Sequence, residues 1–76
     1  MDDKNAKIRW GILATGSIAA SFAEGVINSS YGELIAVGSR SQNSADAFGD
    51  KFGNIPNRHP SYQQLLDDEQ VDAIYI

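Results

Sequence analysis

The chain has 76 residues, 42% hydrophobic and 21% charged, with six Lys and Arg against ten Asp and Glu for a net charge of −4. That balance argues against a general nucleic-acid or anionic-membrane surface, and the absence of cysteine excludes disulfides and thiolate metal sites. No run approaches the roughly 20 apolar residues that cross a bilayer, so a soluble, cytoplasmic protein without nucleic-acid or membrane partners is expected.

Residues 1–6 are polar and acidic, lack the basic head and apolar stretch of a secretory signal, and read as a disordered tail ahead of a domain over 7–76. Lys7 to Leu13 is apolar enough at its centre for a buried strand, and it runs through Ala14-Thr15-Gly16 into a helix that reaches about Ile27. Ile18, Phe22 and Val26, with the small Ala19 and Ala23, fall on one face of that helix. Asn28 to Gly32 breaks it, and Glu33 to Gly38 is a continuous apolar run of the kind found in a strand covered on both faces. After Ser39-Arg40-Ser41-Gln42, Asn43 is the expected cap of a second helix, with Asp46 near its positive end and Ala45, Phe48 and Phe52 as its apolar stripe. Gly53-Asn54 stops it. The Pro-rich stretch Ile55 to Pro60 leaves room for two or three extended residues at a sheet edge. Ser61-Tyr62-Gln63-Gln64 matches a capping box for a short helix through Leu66, which the acids Asp67, Asp68 and Glu69 end. Val71 to Ile76 is the last strand.

Alternating strands and helices call for a parallel sheet with right-handed crossovers. The expected strand order is 3-2-1-4, with the first two helices on one face and the third on the other. One short helix cannot cover the whole second face, so the fold class is α/β, the first half of a doubly wound Rossmann domain whose remainder and substrate domain are absent.

A strand entering a helix through a glycine turn aims free backbone N–H groups and the positive end of a helix dipole at one point, which suits a pyrophosphate. Against the dinucleotide fingerprint Gly-x-Gly-x-x-Gly/Ala, the chain offers Ala14-Thr15-Gly16-Ser17-Ile18-Ala19. Gly16 fits the position where backbone approaches the diphosphate, and Ala19 the position where helix meets strand. Ala14 replaces the first glycine and requires a turn with negative φ. At the end of the second strand, where an NAD enzyme places an acid for the ribose 2′-hydroxyl, the chain has Ser39, Arg40 and Ser41. These residues suit a 2′-phosphate through charge-assisted bonds, which favours NADP over NAD. The candidate cofactor residues are therefore Ala14, Thr15, Gly16, Ser17, Ile18, Ser39, Arg40 and Ser41.

Other groups read as structural. His59, the single histidine, is expected in a solvated loop, and Asp67-Asp68-Glu69 as a solvated helix end rather than a metal site. Trp10, Tyr62 and Tyr75 read as packing residues, and Asp72 as pointing to an edge or capping a backbone group. No nucleophile–base pair is visible. No catalytic or metal-binding residue is assigned.

Three segments in order, I-R-W-G-I-L-A-T-G-S-I-A, E-L-I-A-V-G-S-R-S and S-Y-Q-Q-L-L-D-D-E-Q-V-D-A-I-Y-I, resemble the N-terminus of the Gfo/Idh/MocA oxidoreductases, in the flavour of their dihydrodiol and xylose dehydrogenase branch. The resemblance runs from Lys7 onward. It implies a nicotinamide-binding Rossmann domain and an α+β substrate domain, in a parent enzyme that moves hydride between NAD(P) and a sugar, polyol or related hydroxyl or carbonyl compound. It also implies that Ala14 through Ile18 form the phosphate loop and Ser39 to Ser41 the adenosine-phosphate end; a homo-oligomeric parent is expected. The family's Thr-Pro-Asn-type and Glu-Lys-Pro segments do not occur in these residues, so no catalytic lysine carries over, and Lys51 lies in the wrong context to be one. The alternatives are a non-enzymatic nucleotide-binding or interaction module of the same fold and a Rossmann methyltransferase, which should carry an acid where Ser39-Arg40 stands. A P-loop is disfavoured because no Gly-Lys-Ser/Thr follows the turn.

Overall fold

The computed structural model describes residues 7–14 and 17–76, without the side chains of Ser17 and Ile18; the expected tail over 1–6 lies outside them. Four strands and three helices alternate: β1 (Ile8–Leu13), α1 (Ser17–Ile27), β2 (Gly32–Gly38), α2 (Gln42–Lys51), β3 (Asn57–His59), α3 (Tyr62–Leu66) and β4 (Ala73–Tyr75). The strands are parallel and ordered β3-β2-β1-β4, as the alternation predicts. Among the described residues no helix is long and apolar enough to cross a membrane.

The two faces of the sheet carry separate cores. Ala19, Ala23 and Val26 of α1 and Ala45 of α2, with Phe52 behind it, bury against Ile12, Leu34 and Val37. Phe22 is half-buried there, in edge contact with Trp10 at 5.0 Å and stacked on Tyr75 at 4.0 Å between ring centroids. The opposite face rests on α3, whose Leu65 is fully buried with Ile35 and Ala36. Two consecutive strand residues share that face because β2 carries an extra residue: Trp10 pairs with Leu34 but Gly11 pairs with Ala36, leaving Ile35 as a bulge. A Cβ on Gly11 would lie 2.9 Å from Leu65, and one on Gly38 would lie 2.8 Å from it. Bare backbone at these two strand positions lets α3 seat directly on the sheet.

Two details of α2 depart from expectation. Its N-cap is Ser41 rather than Asn43: Ser41 is extended (φ −147°, ψ 158°), and its Oγ accepts from Ser44 N–H at 3.2 Å. Asp46 consequently sits inside the helix, where it accepts from Gln42 Nε2 at 3.0 Å instead of guarding the positive end. At the other end Gly53 (φ 81°) and Asn54 (φ 59°) turn the chain left-handed, as the Gly-Asn pair predicts. Arg58 of β3 lies across Gly49, donating to Ile55 O at 2.8 Å and pairing with Asp50 at 2.9 Å. The last strand is shorter than Val71 to Ile76 because Asp72 is drawn to β1: its carboxylate accepts from Arg9 N–H at 2.9 Å and from Arg9 Nη2 at 3.1 Å. Capping a backbone group is thus the role Asp72 fills.

Candidate functional site

The carboxyl ends of β1 and β2 bring Ala14 beside the segment Ser39-Arg40-Ser41. Ala14 N–H donates to Gly38 O at 2.9 Å, so the turn into α1 leaves the sheet directly beside the tip of β2. Among the described residues Asn54 alone of the non-glycines has positive φ, so Ala14 makes this turn without left-handed backbone and the missing first glycine costs nothing in strain. Thr15 and Gly16 lie outside the described residues. α1 begins at Ser17 with no acidic residue in its first turn, which leaves its positive end uncompensated toward the strand tips.

At the tip of β2, Ser39 is buried and its N–H donates to His59 O at 3.1 Å. Arg40 is exposed, and among the described residues it makes no hydrogen bond or ion pair. The other two arginines are occupied, Arg9 with Asp72 and Arg58 with Asp50. A cavity of about 620 Å³ opens between α1 and α2 at this tip, lined by Ala14, Ser39 and Arg40 above and by Ser44, Phe48 and Lys51 of α2. Among the described residues no carboxylate lines it, so in a chain of net charge −4 the cavity is locally cationic. A second cavity, about 530 Å³, lies at the amino end of β1 among Ile8, Trp10, Phe22, Val26 and Tyr31; its wall is mainly apolar, and no charged residue lines it among the described residues.

The cap geometry redistributes the serine roles. Ser41 Oγ accepts from Ser44 N–H and donates to Ser44 Oγ at 3.1 Å, so its hydroxyl is committed to starting the helix. Ser44 lines the cavity instead. Ser44 and Lys51 are the two polar lining residues that sequence reasoning missed. The available signal was their spacing with Phe48, i, i+4 and i+7, which puts all three on one helical face beside Arg40.

His59 and Asp68 are corrections. His59 ends β3 rather than sitting in a solvated loop, and its Nε2 lies 2.8 Å from Asp68 Oδ2. The Asp68 side chain is only 8% exposed, and it also accepts from Asn57 Nδ2 at 3.0 Å and Gln70 N–H at 2.9 Å. The carboxylate is an internal tie between β3 and the turn before β4, not a solvated helix end. Burial pushes its pKa up, but the bonds from His59, Gln70 N–H and Asn57 outweigh burial and hold it below the ordinary value of 3.8. A depressed folded pKa contributes stability above the unfolded value that is lost as pH falls through the folded one. The denaturation midpoint should therefore fall as pH drops below about 4, and Asp68→Asn should flatten part of that acid limb. Asp72, lowered by its bonds to Arg9, supplies another part with the same sign. Urea titrations at pH 5 and pH 3 on both proteins check this; an equally steep acid limb in Asp68→Asn would contradict it.

No family model matches the chain. It is 39% identical over 71 residues to the trans-1,2-dihydrobenzene-1,2-diol dehydrogenase of Mus musculus, covering 91% of this chain and 21% of that protein. It is 37% identical over 67 residues to D-xylose 1-dehydrogenase (NADP(+)) 2 of Haloferax volcanii, covering 88% of this chain and 20% of that one. Among solved structures it superposes on a 3-ketoreductase from Actinomadura kijaniata, crystallised with TDP-benzene and NADP, at a TM-score of 0.83 and 28% identity, covering 92% of this chain and 22% of the other. The chain thus spans about 20–22% of the length of the proteins it matches.

Proposed function

We propose that this chain, a Gfo/Idh/MocA-like segment by its relatives and its fold, is the cofactor-binding part of an NAD(P)-dependent oxidoreductase that acts on a sugar, polyol or related hydroxyl or carbonyl compound, with NADP the favoured cofactor. Residues 7–76 are read as part of a larger nucleotide-binding domain, in keeping with the share of its relatives that the chain spans. The observation that carries the reading is Arg40 beside buried Ser39 at the tip of β2, with no ion-pair partner and no carboxylate in its cavity among the described residues.

Each part has a physical task. The turn Ala14-Thr15-Gly16 and the start of α1 at Ser17 and Ile18 receive the diphosphate, through backbone N–H groups and the helix dipole. Arg40 receives the ribose 2′-phosphate through two N–H donors, a geometry that a lysine cannot copy. Ser39 and Ser44 add hydroxyls, while Ser41 holds α2 so that Ser44 faces the cavity. The cofactor, once bound, brings the hydride chemistry, and protein supplies position and field. The histidine of this chain is tied to Asp68.

Titrating the chain with NADPH and NADH while following nicotinamide fluorescence tests the proposal. Saturable binding with preference for NADPH is expected. Binding of neither, by this chain or by the full-length protein that contains it, would remove the cofactor reading and leave an interaction module of the same fold.

A further inference from the structure

The described cations are distributed unevenly. Arg9 is paired with Asp72 and Arg58 with Asp50, and Lys7 precedes β1, at the end of the strand away from the cavity. Arg40 and Lys51 have no carboxylate partner among the described residues, and both line the cavity between α1 and α2. Lys51 is fixed against that wall, with its Nζ 5.5 Å from the ring centroid of Phe52, which is 6% exposed. Two unneutralised charges facing one cavity, in a chain of net charge −4, create a directed attraction for anions.

We infer that Lys51 is a specificity-determining residue of the nucleotide site, attracting the 2′-phosphate from across the cavity without ligating it. The inference rests on reading that cavity as the adenosine-phosphate end. Arg40 precedes α2 and Lys51 ends it, so their backbones stand roughly 15 Å apart at 1.5 Å per residue. A phosphate held by Arg40 lies well away from the backbone of Lys51. At about 10 Å a unit charge still acts on a dianion with an energy that changes affinity severalfold at low salt. Because the attraction is aimed at the extra phosphate, it raises discrimination for phosphorylated adenosine ribose rather than affinity for adenosine.

The test measures the affinity of the chain for adenosine 2′,5′-bisphosphate and for 5′-AMP by calorimetry at low ionic strength. Lys51→Gln should weaken the bisphosphate about three- to tenfold, leave 5′-AMP unchanged, and lose its effect near 1 M salt, where screening is effective within about 3 Å. Lys51→Arg, which keeps the charge, should restore the wild-type ratio. If Lys51→Gln keeps the full preference while Arg40→Gln loses it, the inference is overturned and the cofactor reading stands. If the wild-type chain shows no preference for the bisphosphate, both are overturned.

Discussion

Leu65→Ala is expected to lower the unfolding free energy by about 3–5 kcal/mol, a large share of what a domain of this size holds. Leu65 is fully buried and comes from the one helix on its face of the sheet. It fills the space left by Gly11 and Gly38, where added methyl groups would lie 2.9 and 2.8 Å from it. Strand backbone on either side cannot collapse into the hole, because β1 and β2 are held by their ladder and by the opposite core. The cavity therefore stays open, the condition under which such truncations are most costly. At typical per-residue values 76 residues hold on the order of 4–11 kcal/mol, so the loss amounts to roughly half of the middle of that range. Leu65→Met, close in volume, should cost less than about 1.5 kcal/mol. Urea unfolding followed by far-ultraviolet circular dichroism measures both; equal stability of the two variants would show that α3 does not seat the sheet as described.

Arg40→Gln is expected to weaken NADPH about ten- to hundredfold and to leave NADH unchanged, the loss expected for charge-assisted bonds to a phosphate. The guanidinium stands exposed at the tip of β2 with no hydrogen bond or ion pair among the described residues, so its removal breaks no polar contact there and should leave the melting temperature in place. Arg40→Lys should recover only part of the affinity, since an ammonium offers charge without the planar pair of donors. Fluorescence titration with the two nucleotides reads the effect. Equal losses for NADPH and NADH would mean that Arg40 touches the shared adenosine diphosphate and not the 2′-phosphate.

The strand order was legible because hydrophobic runs and helical stripes alternate along the chain, and Gly53-Asn54 and Ser61-Gln64 mark helix ends by their own chemistry. The bulge at Ile35 was not legible, since nothing in Leu34-Ile35-Ala36-Val37 distinguishes an extra residue from a regular one. The cap at Ser41 was misplaced by two residues because Ser41 and Asn43 are both good caps, and the choice depends on where β2 releases the chain. The tie between His59 and Asp68 was hidden because it joins residues on separate elements, and their local surroundings look like ordinary turn and helix end. The placement of Ser39 and Arg40 in the cavity at the tip of β2 follows from their position directly after the second strand. Ser44 and Lys51 share one helical face with Phe48, a spacing present in the sequence, but which face of α2 borders the cavity is decided by how the helix packs on the sheet.

The central claim is that backbone amides at the first turn receive a diphosphate. Amide chemical-shift mapping on the isotopically labelled chain, titrated with NADP, tests it most directly. The account predicts the largest shifts at Thr15, Gly16 and Ser17, with a second group at Ser39, Arg40 and Ser44. Shifts confined to Trp10, Phe22 and Tyr31 around the apolar cavity, with the first turn unmoved, would contradict it.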